Sequence, residues 1–168
     1  MSGQLAPHYR ETLRARLAGL KQQAERALEQ VDDAGFEHRL EPQSNSLSVL
    51  VRHVGGNLRS RFRDFLTSDG EKPDRHRDLE FEDAVGGRAA AMAAWEAGWG
   101  ELFPALAALS DADLMARVEI RGEPHTVVEA LERSALHTAG HVGQIVLLAK
   151  HLAGSGWRTL SMPRRGRS

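Results

Sequence analysis

Four stretches whose apolar residues recur at intervals of three and four constrain this chain most, because that period fits a helix and not a strand. The first runs from about Pro7 to Asp32 and carries Leu13, Leu17, Leu20, Ala24, Ala27, Leu28 and Val31 on one stripe. The second, from about Ser46 to Thr67, carries Leu47, Leu50, Val54, Leu58, Phe62 and Phe65, with several N-cap candidates just ahead of it. The third spans roughly Phe81 to Leu109, is rich in alanine, and holds Trp95, Trp99, Leu102, Phe103 and Leu106; Gly86-Gly87 predicts an irregular start. The fourth runs from about Thr126 to Ala153 and stops at Gly154. Between the second and third lies a polar connection, Ser68 to Glu80, read as loop from Asp69-Gly70 and Pro73 and long enough to cross over. Ahead of the fourth, Val118 and Ile120 alternate with charge, which predicts a strand or one arm of a small hairpin. The expectation is an all-α chain, a four-helix bundle forming one domain over residues 1–168.

The absence of cysteine removes thiolate nucleophiles, disulfides and Cys-based metal sites, leaving histidines and carboxylates as ligands. A net charge of -1, with both signs well mixed, gives no field that draws the chain to nucleic acid or a membrane surface. No run reaches the ~18 apolar residues of a membrane span. The first residues carry charge early and lack the apolar core of a signal peptide. A soluble, cytoplasmic protein is expected.

Of the eight histidines, His8, His38 and His76 sit among charged or loop residues and read as solvated. His125, after Pro124, reads as a cap or a rim residue. His137 and His141 differ: a spacing of four puts both rings on one helix face, close enough to share an ion. No charged residue lies between Arg133 and Lys150, so these rings need partners in an apolar setting. The small residues Ala139, Gly140 and Gly143 leave room for a cavity or a close helix approach. His53 lies in another apolar stretch, beside Gly55 and Gly56, and the second helix facing the fourth supplies a third ligand. The competing reading is three core histidines satisfied by backbone or by Asn57 and Gln144.

The segments from Asn57 to Pro73, from Ile120 to Leu131, His137-x-x-x-His141-Val-Gly-Gln-Ile, and Trp157 to Arg164 resemble the DinB/YfiT metal-dependent superfamily, in a branch of uncharacterised bacterial proteins. The resemblance covers nearly the whole chain. It implies a four-helix bundle with a crossover connection, often dimeric, with a zinc or nickel ion on His53, His137 and His141. Characterised members of that superfamily include thiol-dependent S-transferases and an isomerase, so a low-molecular-weight thiol is the implied partner. Relatives often carry aromatic residues between the two histidines of the fourth helix, where this chain has Thr138 and Gly140, and the tail from Pro163 to Ser168 is more basic than expected.

Three neutral imidazoles leave a divalent ion its full charge and an open position, the composition of a catalytic site. Asn57 and Gln144 are candidate residues behind the ligands, although closing helix–helix hydrogen bonds is the plainer role for both. No general base stands out. Arg52, Arg59, Arg61 and Arg63 crowd the second helix; a solvated face is expected of them rather than a carboxylate site. Trp95 and Trp99 read as core or as part of a homodimer interface. A metal-dependent transferase or hydrolase, a non-catalytic metal-binding or stress-response protein, and a metal-free helical dimer all remain open.

Overall fold

A computed structural model describes residues 4–82 and 86–161; the basic tail and the last residues of the Trp157–Arg164 segment lie outside them. The chain is mostly helical, with five α-helices and one two-stranded sheet among the described residues. Helix α1 spans Leu5–Leu28, α2 Asp33–Glu37, α3 Leu47–Phe62, α4 Gly87–Ala108 and α5 Val127–Ala153. No described helix is long and apolar enough to cross a membrane.

Each long helix forms where the apolar period places it. The predicted stripe of α1 is buried at Leu13, Leu17, Ala24, Ala27 and Leu28. Ser46 caps α3, its hydroxyl accepting from the Val49 amide at 3.2 Å. Thr126 and Glu129 form a reciprocal capping box at the start of α5. Thus Thr126, not His125, caps that helix; His125 sits in the hairpin strand, with its ring against the Glu123 carbonyl.

Helix α3 packs along α4, α1 along α5, and α3 also touches α5. The core between them holds Leu17, Leu58, Trp95, Trp99, Leu131 and Ile145, all essentially inaccessible. Trp95 and Trp99 meet edge to face at 5.3 Å, and the Trp95 indole donates to Glu25 at 3.1 Å. Both tryptophans therefore belong to the core of this chain. Most of the surplus alanine on α4 faces water.

Four expectations change. Helix α1 ends at Leu28 rather than Asp32, which caps the next helix instead. Helix α3 ends at Phe62 rather than Thr67, because Asp64 takes a positive φ of 51° and its carbonyl accepts from the Thr67 and Ser68 amides. Helix α4 starts at Gly87 rather than Phe81; Phe81 instead closes a 3-10 turn over Arg77–Phe81. A short helix, α2, was not anticipated. Asp32 caps it through the Gly35 amide at 2.8 Å, and Phe36 anchors it in the core.

The strand expectation resolves into a hairpin, β1 Arg117–Ile120 paired antiparallel with β2 Glu123–Thr126. Its two-residue turn has positive φ at both Arg121 (59°) and Gly122 (73°), the backbone that matches the twist of paired strands. The polar connection is pinned to this turn. The Asp69 carboxylate accepts from the amides of Arg121 at 2.9 Å and Gly122 at 2.7 Å, and the Gly70 amide donates to the Glu119 carbonyl at 2.7 Å. Ser60 on α3 donates to the Gly70 carbonyl at 2.9 Å and accepts from the Lys72 amide at 3.0 Å. A segment read as free loop is thereby clamped between α3 and the hairpin, which fixes what its later residues can reach.

Candidate metal centre

His53 projects from the middle of α3, and His137 and His141 from successive turns of α5, where those two helices meet. The three rings pack with centroids 4.5–5.1 Å apart. One nitrogen from each lies within 4.8 Å of the others, so the group is positioned to hold one metal ion. His53 Nε2 faces His137 Nε2 at 3.2 Å, close to the separation of about 3.3 Å that two nitrogens adopt on a tetrahedral ion at ~2.0–2.1 Å each.

The state of the rings follows from their surroundings. Burial, then the neighbouring His141 and His53, pushes the His137 pKa down to about 4. Burial and His53 also lower that of His141, with Gln144 pulling weakly the other way. Both rings are therefore neutral near pH 7 and present lone pairs without first losing a proton. The Nδ1 atoms of His137 and His141 are buried with no hydrogen-bond partner. His137 turns Nε2 toward His53, so its unpartnered Nδ1 faces away from the centre of the cluster and Nε2 is the nitrogen it offers there. The donor set fits a divalent ion of borderline softness.

His53 is fixed from behind. Its Nδ1 lies 2.9 Å from Glu80 Oε2, and Glu80 in turn accepts from Arg75 at 2.9 and 2.8 Å. Burial raises the Glu80 pKa, but the hydrogen bonds from His53 and Arg75 outweigh it and hold the carboxylate ionised. An ionised carboxylate only accepts, so Nδ1 carries the proton and Nε2 is left bare toward the other two histidines. This carboxylate–histidine arrangement sets the tautomer and raises ligand basicity in metal sites. Phe81 packs against the same ring, tilted, with centroids 4.8 Å apart.

Glu80 and Arg75 were absent from the sequence expectations. Both lie within the polar connection, and the clamp on Asp69 and Gly70 brings that segment back over α3. Glu80 also crosses Gly56, where a Cβ would come within 2.2 Å of its Oε1. Gly56 thus matters as the floor under Glu80, and Gly55 as a helix contact. The small residues of α5 have neither role: Ala139 is exposed, and a Cβ at Gly140 or Gly143 would meet nothing within 4 Å.

Of the two residues expected behind the ligands, Asn57 is buried and lines a cavity of about 190 Å³ with His53 and His137. Gln144 lies on the exposed side of α5 beside His141. His8, His38 and His76 are exposed, as expected. The four arginines of α3 and its end do not act as one solvated face. Arg52 donates to the Leu79 carbonyl at 3.3 Å, Arg63 grips Asp74 through two bonds at 2.9 and 2.5 Å, and Arg61 is buried.

The chain matches the family described as "Protein of unknown function (DUF1572)" over residues 4–166. No curated protein matches it.

Proposed function

We propose that this chain, which belongs to the DUF1572 family of proteins of unknown function, binds one divalent cation through His53, His137 and His141 and uses it in catalysis. The observation that carries the reading is the convergence of three histidine nitrogens, two of the rings held neutral by burial and the third oriented by Glu80. The resemblance to the DinB/YfiT superfamily supports it from the sequence side, and with it the description of the four long helices as one bundle domain of that type. Zinc or nickel suits an all-imidazole set.

With an open position, such an ion supplies Lewis acidity that lowers the pKa of a thiol or water reaching it. The protein's own part is positional. Glu80 and Arg75 fix His53, and the burial of its ring keeps it largely from bulk water. The cavity beside His53 and His137 gives a substrate access. Glu80 is committed to two partners and does not serve as the general base. A cytoplasmic thiol-dependent transfer, or a hydrolysis, is the chemistry this arrangement suits. The cavity favours catalysis over the alternative of a non-catalytic metal-binding or stress-response protein, which has no need of access beside its ligands.

Conjugation of a small thiol to an electrophile by the metal-loaded chain tests this. Turnover that disappears on chelation and in His53→Ala is expected. Stoichiometric metal without turnover on any thiol or ester substrate would transfer the assignment to the non-catalytic alternative.

A further inference from the structure

The cavity beside the histidines has a composition the metal does not account for. Five arginines line it: Arg61 from α3, Arg75 and Arg77 from the connection, Arg121 from the hairpin turn and Arg133 from α5. Arginines from four separate elements line one small space, and two of them, Arg61 and Arg75, have side chains only 9% and 5% exposed. The nearby carboxylates are fewer. Glu71 serves Arg61 at 3.2 Å, Arg121 at 3.0 Å and Arg75 at 3.4 Å, while Glu80 serves Arg75 and His53. Glu71 and Glu80 thus answer three of the five cations, Arg77 pairs with Asp78 at 3.6 Å on the exposed side, and Arg133 has no ion pair among the described residues.

Two donors here are buried without an acceptor. Arg61 is 8% exposed, and its Nη1 has no hydrogen-bond partner; Ser134, 5% exposed, has an unpartnered Oγ. A buried guanidinium N–H left unpaired costs more than a neutral donor, so the expected occupant is one that brings acceptor oxygens and negative charge. The planar guanidinium fork matches carboxylate and phosphate oxygens. Little of the wall is apolar beyond Ile120 and Ala130, and the space is smaller than pockets that enclose drug-sized ligands.

We infer that this cavity is a subsite for the oxyanion group, carboxylate or phosphate, of a small substrate whose remaining part is directed toward His53 and His137. The direction of the substrate rests on the metal reading above; the anion site itself stands on the arginines and Ser134. It also separates Arg61 from its helix neighbours: Arg52 and Arg63 are spent on the connection, and Arg61 alone of the four α3-region arginines lines this cavity.

Calorimetric titration of the full chain after chelation and dialysis, with inorganic phosphate and with malonate at constant ionic strength, tests the subsite without the metal. Saturable binding of at least one probe is expected, and the tighter one names the oxyanion. Arg133→Ala and Ser134→Ala, neither of which breaks an ion pair or hydrogen bond of the described fold, should each weaken it about ten-fold, the worth of one lost charge-assisted bond. Arg63→Ala, which loses only the pair with Asp74, should bind within about two-fold of wild type. No saturable binding of either probe, or equal binding by wild type and both cavity variants, overturns the inference. A chain that takes up one metal ion but neither anion loses the subsite and keeps the metal reading; one that binds the anion but no metal does the reverse.

Discussion

Replacing Glu80 by glutamine is expected to weaken divalent-metal binding about ten- to hundred-fold, the usual cost of removing a partner behind a ligating histidine. The substitution keeps the size of the side chain and leaves an oxygen for the His53 Nδ1 proton, 2.9 Å away. It removes the negative charge that Arg75 and His53 share and that makes Nε2 the bare nitrogen. Gly56→Ala reaches the same carboxylate by another route. A methyl group there meets Glu80 Oε1 at 2.2 Å and Cδ at 2.9 Å, the end of a side chain free to swing aside. The helix itself gains from alanine by roughly 0.5–1 kcal/mol. Gly56→Ala should therefore lower metal affinity, with the helix gain opposed by the loss of the buried Arg75–Glu80 pair. Titration of zinc into both variants against a competing chelator measures this. Affinities equal to wild type in both would show that Glu80 serves the fold and not the site.

The largest effect on stability is expected at Gly98. Helices α3 and α4 touch backbone to backbone: a Cβ on Gly98 would lie 2.3 Å from the Gly55 carbonyl oxygen and 2.8 Å from its Cα, and one on Gly55 would meet the Ala94 carbonyl oxygen at 2.3 Å. Backbone atoms have no rotamer to retreat into, so alanine must push the two helices apart. Trp95 and Trp99 fill the seam at 0% and 1% exposure and would lose contacts along it. Overpacking costs of 1–3 kcal/mol are typical, and a contact with two rigid helices lies at the top of that range, about 3 kcal/mol. For a chain of this size that is a fall of roughly 10 °C in melting temperature. Gly100→Ala is the control two residues on, with nothing within 4 Å, and should be neutral or stabilising. Thermal unfolding of both variants followed by circular dichroism reads the difference; similar melting temperatures would refute the close-contact account.

Much of this was legible in the sequence where the signal is periodic. The long helices follow from apolar spacing, and the pair His137/His141 from a spacing of four in an uncharged stretch. His53 was legible as a histidine on the apolar second helix and through family resemblance. What the sequence hid lies in the non-periodic connection. Glu80 is 27 residues from His53, and its polar neighbours gave it the same appearance as any solvated carboxylate. Its role depends on Asp69 and Gly70 being tied to a hairpin turn some fifty residues later. The burial of Arg61 was hidden for the same reason: on a helical wheel it is one of several arginines, and only the folded-back connection and the hairpin close over it. The glycines misled in the opposite direction. Gly140 and Gly143 suggested a close approach on α5, whereas the closest helix contact is made by Gly55 and Gly98, a pairing that spacing within one helix does not reveal.

The central claim is that three histidines hold one ion, and metal content tests it most directly. Wild-type chain and the double variant His137→Ala/His141→Ala, each stripped, incubated with zinc or nickel and desalted, would be assayed by plasma mass spectrometry. One equivalent per chain in the wild type and a negligible amount in a folded double variant is the expected result. Equal content in the two, whether stoichiometric or absent, would contradict it.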